Sequence, residues 1–73
     1  MPKRNGILAT LGLNVRRQRE AKQFTQENLA ERAGLDPTYI SGIERGKRNV
    51  SLRNIKVIAD ALDTTISELT KGL

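Results

Sequence analysis

Thr38, Ser41, Gly42 and Arg45 fall at i, i+3, i+4 and i+7, so a helix through them sets all four on one face. An ordinary solvated face favours long Glu and Lys side chains. This one is small and uncharged for about two turns and then basic, with Arg45, Lys47 and Arg48 in close succession. Small side chains let a helix approach another surface closely, and hydroxyls at Thr38 and Ser41 can hydrogen-bond to what they meet. A helix–helix contact would use such a face as readily as the floor of a DNA groove. The basic run favours the groove, because phosphates line it and Lys and Arg are their natural partners.

The distribution of charge agrees. The 73-residue chain carries 13 Lys and Arg against 8 Asp and Glu, a formal charge of +5, with a pI near 10.3. From Met1 to Arg19 there are five basic residues (Lys3, Arg4, Arg16, Arg17, Arg19) and no acid. From Arg45 to Ala59 there are five more (Arg45, Lys47, Arg48, Arg53, Lys56) and again no acid. A surface shaped only for solubility intersperses the signs. Two acid-free stretches point to an anionic partner, nucleic acid before membrane surface.

Other chemistries find little support. With no histidine and no cysteine, the usual His/Cys metal sites and disulfides cannot be built, and no cofactor or small-molecule ligand is expected. Glu27 and Glu31 lie one turn apart without a nucleophile or base beside them, so surface roles are expected and an enzyme is not. The basic residues are not laid along one amphipathic helix, as a membrane-surface peptide requires. No apolar run approaches the roughly 20 residues of a membrane span, and none follows Lys3 and Arg4 as in a signal peptide. The expected location is cytoplasmic, on the nucleoid when bound.

Five short helices are expected to position the candidate face. Residues 1–6 read as a flexible tail, in which Lys3 and Arg4 could form a minor-groove arm, and residues 7–73 as one domain. The first helix spans about Ile7 to Lys22, with Leu8, Leu11, Val15 and Arg19 on one face. Thr25 caps a second helix, Glu27 suits its N-terminal dipole, and Gly34 ends it. Asp36 and Pro37 start a third, which stops at Gly46, with Leu35, Ile40 and Ile43 pointing inward. Ser51 caps a fourth helix with an apolar stripe of Leu52, Ile55, Ile58, Ala59 and Leu62. Thr65 and Glu68 form a capping box for a fifth. The fold is all-α, and Thr25 to Arg45, turning at Gly34-Leu35-Asp36, makes a helix-turn-helix whose second helix enters the major groove. Phe24 is expected in the core. Tyr39 reads as a partly buried spacer whose hydroxyl reaches a phosphate.

Thr25-Gln26-Glu27-Asn28-Leu29-Ala30, then Gly34, then Tyr39-Ile40-Ser41-Gly42-Ile43-Glu44-Arg45-Gly46 resembles the Xre/Cro/phage-repressor family over about Val15 to Leu69. Within it, Tyr39 to Asn49 is most similar to controller proteins of restriction-modification systems. The resemblance implies a compact five-helix lambda-repressor-like domain and a transcription regulator of double-stranded DNA, acting as a repressor or an activator. It also implies residue roles. Gln26 matches a position that binds a phosphate and braces the recognition helix. Pro37, Thr38 and Ser41 match positions facing base edges, Arg48 and Asn49 positions that contact backbone or bases, and Arg16 a first-helix position near the backbone. Arg19 and Glu44 match a buried ion pair, which explains why arginine ends the first helix's apolar series.

The departures from the family matter as well. Pro37 stands where many members carry Gln or Arg, and Gly42 offers no side chain. Direct readout then rests on Thr38, Ser41 and Arg45 to Asn49, and DNA shape is expected to carry a larger share. Gln23 and Asp63 occupy turns where the family favours glycine.

In this family the C-terminal region pairs two subunits. Leu62, Ile66, Leu69 and Leu73 are the expected homodimer stripe, giving half-sites about one helical turn, roughly 34 Å, apart on a near-palindrome. The bound dimer blocks a promoter or recruits RNA polymerase. The rival expectation is an antitoxin-like module whose main partner is a protein; such modules usually carry an extra masking segment, and little follows the fifth helix before Leu73.

Overall fold

The computed structural model of the chain describes residues 6–73, which form five α-helices and no strand. They are α1 (Gly6–Ala21), α2 (Gln26–Ala33), α3 (Pro37–Glu44), α4 (Leu52–Ala61) and α5 (Ile66–Leu69). Gly6, expected in the tail, already belongs to α1, and the rest of the expected tail, with Lys3 and Arg4, lies outside the described residues.

Each boundary has a local cause. Thr25 and Asn28 make a reciprocal capping box, Thr25 Oγ1 accepting from Asn28 N–H at 2.9 Å and Asn28 Oδ1 from Thr25 N–H at 3.0 Å. Asp36 Oδ1 accepts from Thr38 N–H at 2.8 Å, with Pro37 at the first helical position where no N–H is needed. Ser51 Oγ accepts from Asn54 N–H at 3.1 Å. At α5 only half of the expected box forms: Thr65 Oγ1 accepts from Glu68 N–H at 3.0 Å, and Glu68 returns no bond to Thr65.

The C-termini of α1 to α4 share one solution. Each is followed by a left-handed residue, Gln23 (φ 62°), Gly34 (φ 68°), Gly46 (φ 72°) and Asp63 (φ 59°). Paired backbone bonds then close back onto the last turn, as in Lys47 N–H to Gly42 O at 2.9 Å and Gly46 N–H to Ile43 O at 3.0 Å. Gln23 and Asp63, in the turns where the family favours glycine, are both left-handed.

The core gathers Leu11 and Val15 of α1, Leu29 of α2, Ile40 and Ile43 of α3, and Ile58, Leu62 and Leu69 from α4 and α5. Phe24 and Leu35 pack against it. Helix α1 lies across α3 and α5, and α2 across α3 and α4. Arg32 braces the far ends of α2 and α4. Its Nε donates to Ala61 O at 3.1 Å, and its guanidinium stands 4.7 Å from the Phe24 ring centroid. Asn14 Nδ2 donates to Leu69 O at 2.9 Å and to Lys71 O at 2.8 Å, fastening the C-terminus to α1.

Three apolar residues do not lie where the helical stripes put them. Leu62 and Leu69, expected at a dimer surface, are fully buried inside the chain's own core. Both belong to the core cluster and have no surface to offer a second subunit. Leu52, the expected start of the α4 stripe, is 68% exposed, so the buried face of α4 begins at Ile55.

Candidate nucleic-acid interface

Helix α3 is held at its inner face and bare at its outer one. Ile40 and Ile43 are buried, while Pro37, Thr38 and Arg45 are exposed and Ser41 is half-buried. Gly42 departs from the expected outward face. It is buried, roofed by the stem of Arg48 arriving from the following loop. The accessible row is therefore Pro37, Thr38, Ser41 and Arg45.

Beyond the helix the chain is pinned at two points. Gly46 sits against the backbone of Ala9 in α1, and Val50 is buried in the core. Lys47, Arg48 and Asn49 between them are exposed. Among the described residues, Arg45, Lys47 and Arg48 pair with no carboxylate. Apart from the buried pair of Arg19 and Glu44 described below, two other basic residues do: Arg16 Nε lies 3.1 Å from Glu20 and Lys56 Nζ 2.9 Å from Asp60. Both are exposed i,i+4 pairs of the sort worth about 0.3–0.5 kcal/mol, readily exchanged for another anion. Arg17, Lys22, Arg53 and Lys71 likewise pair with no carboxylate among the described residues; what sets Arg45, Lys47 and Arg48 apart is their place at the end of α3 and in the loop that follows it.

The position of α3 is fixed by an ion-pair cluster. Arg19 Nε donates to Glu44 Oε2 at 2.6 Å and Arg19 Nη2 to Glu44 Oε1 at 3.0 Å, a two-pronged contact. Arg19 Nη1 donates to Phe24 O at 2.7 Å. Gln26 Nε2 donates to Glu44 Oε1 at 3.0 Å. One carboxylate thus ties α3 to α1 and to the first residue of α2. The hydrogen bonding of Arg19 to Glu44 holds the guanidinium above its ordinary pKa, against the opposite pull of burial, with the Glu44 and Glu20 charges adding to it. The amide nitrogen of Gln26 carries a second hydrogen, which remains to be offered outward.

Two residues of this arrangement were not singled out by sequence reasoning. Gly12 faces the end of α3 so closely that a Cβ there would come within 2.8 Å of Glu44 O and closer still to Ile43 O. A lone glycine inside a helical pattern was the available signal, since it costs about 1 kcal/mol relative to alanine unless packing requires it. Asn54 is the other: its Nδ2 donates to Tyr39 Oη at 3.1 Å. Tyr39 is half-buried against the core, as a spacer should be, and its hydroxyl proton is not used by that bond. Nothing in the spacing of Tyr39 and Asn54 marks them as partners.

Two capped helices, a left-handed glycine between them and a bare second helix flanked by unpaired cations are the anatomy of a DNA reader. The helix-turn-helix family matches residues 15–69. The chain belongs to that family. Among similar proteins, control protein C.SmaI of Serratia marcescens is 44% identical over 63 residues, 86% of this chain and 75% of that protein. Control protein C.BamHI of Bacillus amyloliquefaciens is 47% identical over 66 residues, 89% of this chain and 82% of that one. The crystal structure of the restriction-modification controller protein C.AhdI from Aeromonas hydrophila superposes with a TM-score of 0.83 at 50% identity, covering 85% of this chain and 94% of that one. This helix-turn-helix protein is thus a DNA-binding transcription regulator of the controller type.

Proposed function

We propose that the chain acts as a homodimer on a near-palindromic operator in double-stranded DNA and controls the genes of a restriction-modification system. The observation that carries the DNA contact is the cluster of Arg45, Lys47 and Arg48, exposed and unpaired among the described residues, at the edge of the bare face of α3. Phosphates replace the absent carboxylates, and each neutralised phosphate releases counterions to solution. Thr38 and Ser41 reach base edges, and Asn49 base edges or backbone. Pro37 meets them with apolar surface only, and Tyr39 and Gln26 offer their remaining hydrogens to phosphates. Arg16 joins the backbone by leaving its exposed partner Glu20. The control role rests on the named relatives, and the same bound dimer occludes a promoter or presents a surface to RNA polymerase.

A homodimer follows from the small number of base-reading side chains. A good bidentate base contact supplies about 1–3 kcal/mol of discrimination. One α3 offers few, and two subunits double them. Of the four leucine and isoleucine positions expected to join subunits, Ile66 and Leu73 remain available, and exposed Leu52 adds a further apolar contact on α4. No helix among the described residues is long and apolar enough to cross a membrane. The proposed place of action is the nucleoid in the cytoplasm, where the operator DNA lies.

Selection from random duplexes tests the reading. It should return two inverted half-sites about one helical turn, roughly 34 Å, apart. Replacing Arg45, Lys47 and Arg48 together by alanine should leave the melting temperature near its native value and weaken operator binding. It should also flatten the salt dependence, by about 0.9 in the log–log slope for each phosphate no longer neutralised. A folded triple variant with native affinity and native slope would remove the DNA reading of this face.

A further inference from the structure

Gly42 lies in the middle of the eight-residue recognition helix, where glycine weakens a helix relative to alanine. Its α-carbon is buried, yet the groups around it are not the core. A Cβ built there meets Arg48 Cγ at 2.8 Å, Arg48 Nε at 3.2 Å and Arg48 Cδ at 3.5 Å, and these are its three nearest neighbours. The stem of Arg48 therefore occupies the volume that any other residue at position 42 would fill. Beyond the stem, the guanidinium carbon stands 5.6 Å from the centroid of the Tyr39 ring, within reach of a cation–π contact. The ring is itself steadied by Asn54 Nδ2 on its hydroxyl at 3.1 Å. The adjoining loop backbone is fixed by Lys47 N–H donating to Gly42 O at 2.9 Å.

We propose that Gly42 and Tyr39 form a seat that holds the Arg48 side chain in place before DNA arrives, making Gly42 a positioning residue for recognition that itself touches no DNA. This rests on the reading that Arg48 contacts the operator. An arginine on an exposed loop ordinarily samples many rotamers, and binding must freeze them. With the stem laid across a glycine and the head against an aromatic ring, much of that freedom is already gone. The bare α-carbon at position 42, which offers nothing to a base, is required by a neighbour six residues further along the chain.

The experiment is a double-mutant cycle of Gly42→Ala and Arg48→Ala, read as affinity for the selected operator at fixed salt and as melting temperature. Arg48→Ala alone should weaken binding; native affinity would overturn the reading on which the seat rests, whatever Gly42 does. Gly42→Ala should weaken binding by about two- to tenfold, the loss expected for freeing one long side chain. In the Arg48→Ala background the same change should leave affinity untouched and raise the melting temperature, since the space is vacated and a helix glycine is removed. Equal losses of affinity in both backgrounds, or a lower melting temperature in both, would overturn the seat and make Gly42 a core-packing residue. Should Gly42→Ala fail to fold, Tyr39→Leu against Tyr39→Phe replaces it. Both variants lack the hydroxyl offered to a phosphate, so the seat is read from their difference: phenylalanine binding more tightly than leucine only while Arg48 is present supports it, and a phenylalanine advantage that persists without Arg48 overturns it.

Discussion

At the first turn of α3, Asp36, Pro37 and Thr38 all stand in solvent, and a single capping hydrogen bond of 2.8 Å orders the turn. At the last turn, the Glu44 side chain is 4% exposed and receives three hydrogen bonds, two from Arg19 in α1 and one from Gln26 in α2. The backbone there closes against Gly12 and turns at Gly46. A helix that reads DNA must present a bare end to the groove, and a bare end cannot be rigid through its own contacts. The difference between the two ends shows how the fold resolves this. Stiffness comes from the end that stays inside the protein, so substitutions at the inner end should cost far more stability than those at the outer end.

Arg19→Ala is the most severe test of that division. It strands the buried carboxylate of Glu44 with only Gln26 as a donor, and should cost about 3–5 kcal/mol. For a domain of this size each kcal/mol moves the melting temperature by about 4–8 °C, so the variant should melt well over ten degrees lower, on the order of 12 °C or more. Arg19→Met combined with Glu44→Leu should recover much of the loss, because an apolar pair leaves no charge unpaired. The raised pKa of Arg19 fixes the sign of the pH dependence. The pair's contribution is complete below the ordinary range of a guanidinium and is lost only as pH rises through the still higher folded value. Mild alkali should therefore leave it intact. An unchanged melting temperature in Arg19→Ala would mean that the inner end is not where α3 is secured.

The clamp and the caps were legible in the sequence because they depend on short spacings or on a break in a pattern. An arginine ending the series Leu8, Leu11, Val15 marks an unusual buried position, and the family resemblance supplies Glu44 as its partner. Thr25, Asp36 and Ser51 declare their helices by chemistry that acts within two or three residues. What the sequence did not yield depends on which element covers which face. The helical period groups Leu62 with Ile58 and Ile66 with Leu69, but it cannot say whether another helix of the same chain or a second subunit lies over them. Leu62 and Leu69 are covered from within, and Leu52, on the expected buried stripe, is left outside. Gly42 was assigned outward for the same reason. Its cover is a side chain from the loop after the helix, a contact that α-helical spacing does not describe. Gly12, similarly, is set by the approach of α1 to the end of α3.

The outer end should respond less. Asp36→Ala removes the cap of α3 and should lower stability by about 1 kcal/mol, within the 0.5–2 kcal/mol of such caps. Denaturant unfolding measures this directly. The loss should be no more than about a third of that for Arg19→Ala, since one capping bond is removed and no buried charge is stranded. Removing an acid beside the exposed face should also leave operator affinity unchanged or slightly higher. A loss of stability equal to that of Arg19→Ala would erase the contrast between the two ends.

The smallest effect separates strain from function. Gln23 and Asp63 both hold left-handed backbone, at φ 62° and 59°, where a residue with a Cβ pays of order 1 kcal/mol. Glycine at either site relieves this but adds freedom to the unfolded chain, so the net gain should stay below about 1 kcal/mol. Asp tolerates this region better than Gln, because its short side chain can hydrogen-bond locally. Gln23→Gly should therefore stabilise the protein more than Asp63→Gly. Gln23 also directs the turn that carries Phe24 O onto Arg19 Nη1 at 2.7 Å, so it lies beside the clamp, whereas Asp63 follows α4, away from it. If relief of strain is all that matters, Gln23→Gly will unfold at higher denaturant with operator affinity unchanged. If the added freedom loosens the carbonyl on Arg19, the gain will vanish at position 23 and survive at position 63, and the inner end of α3 would then depend on the strained turn as well as on the ion pair.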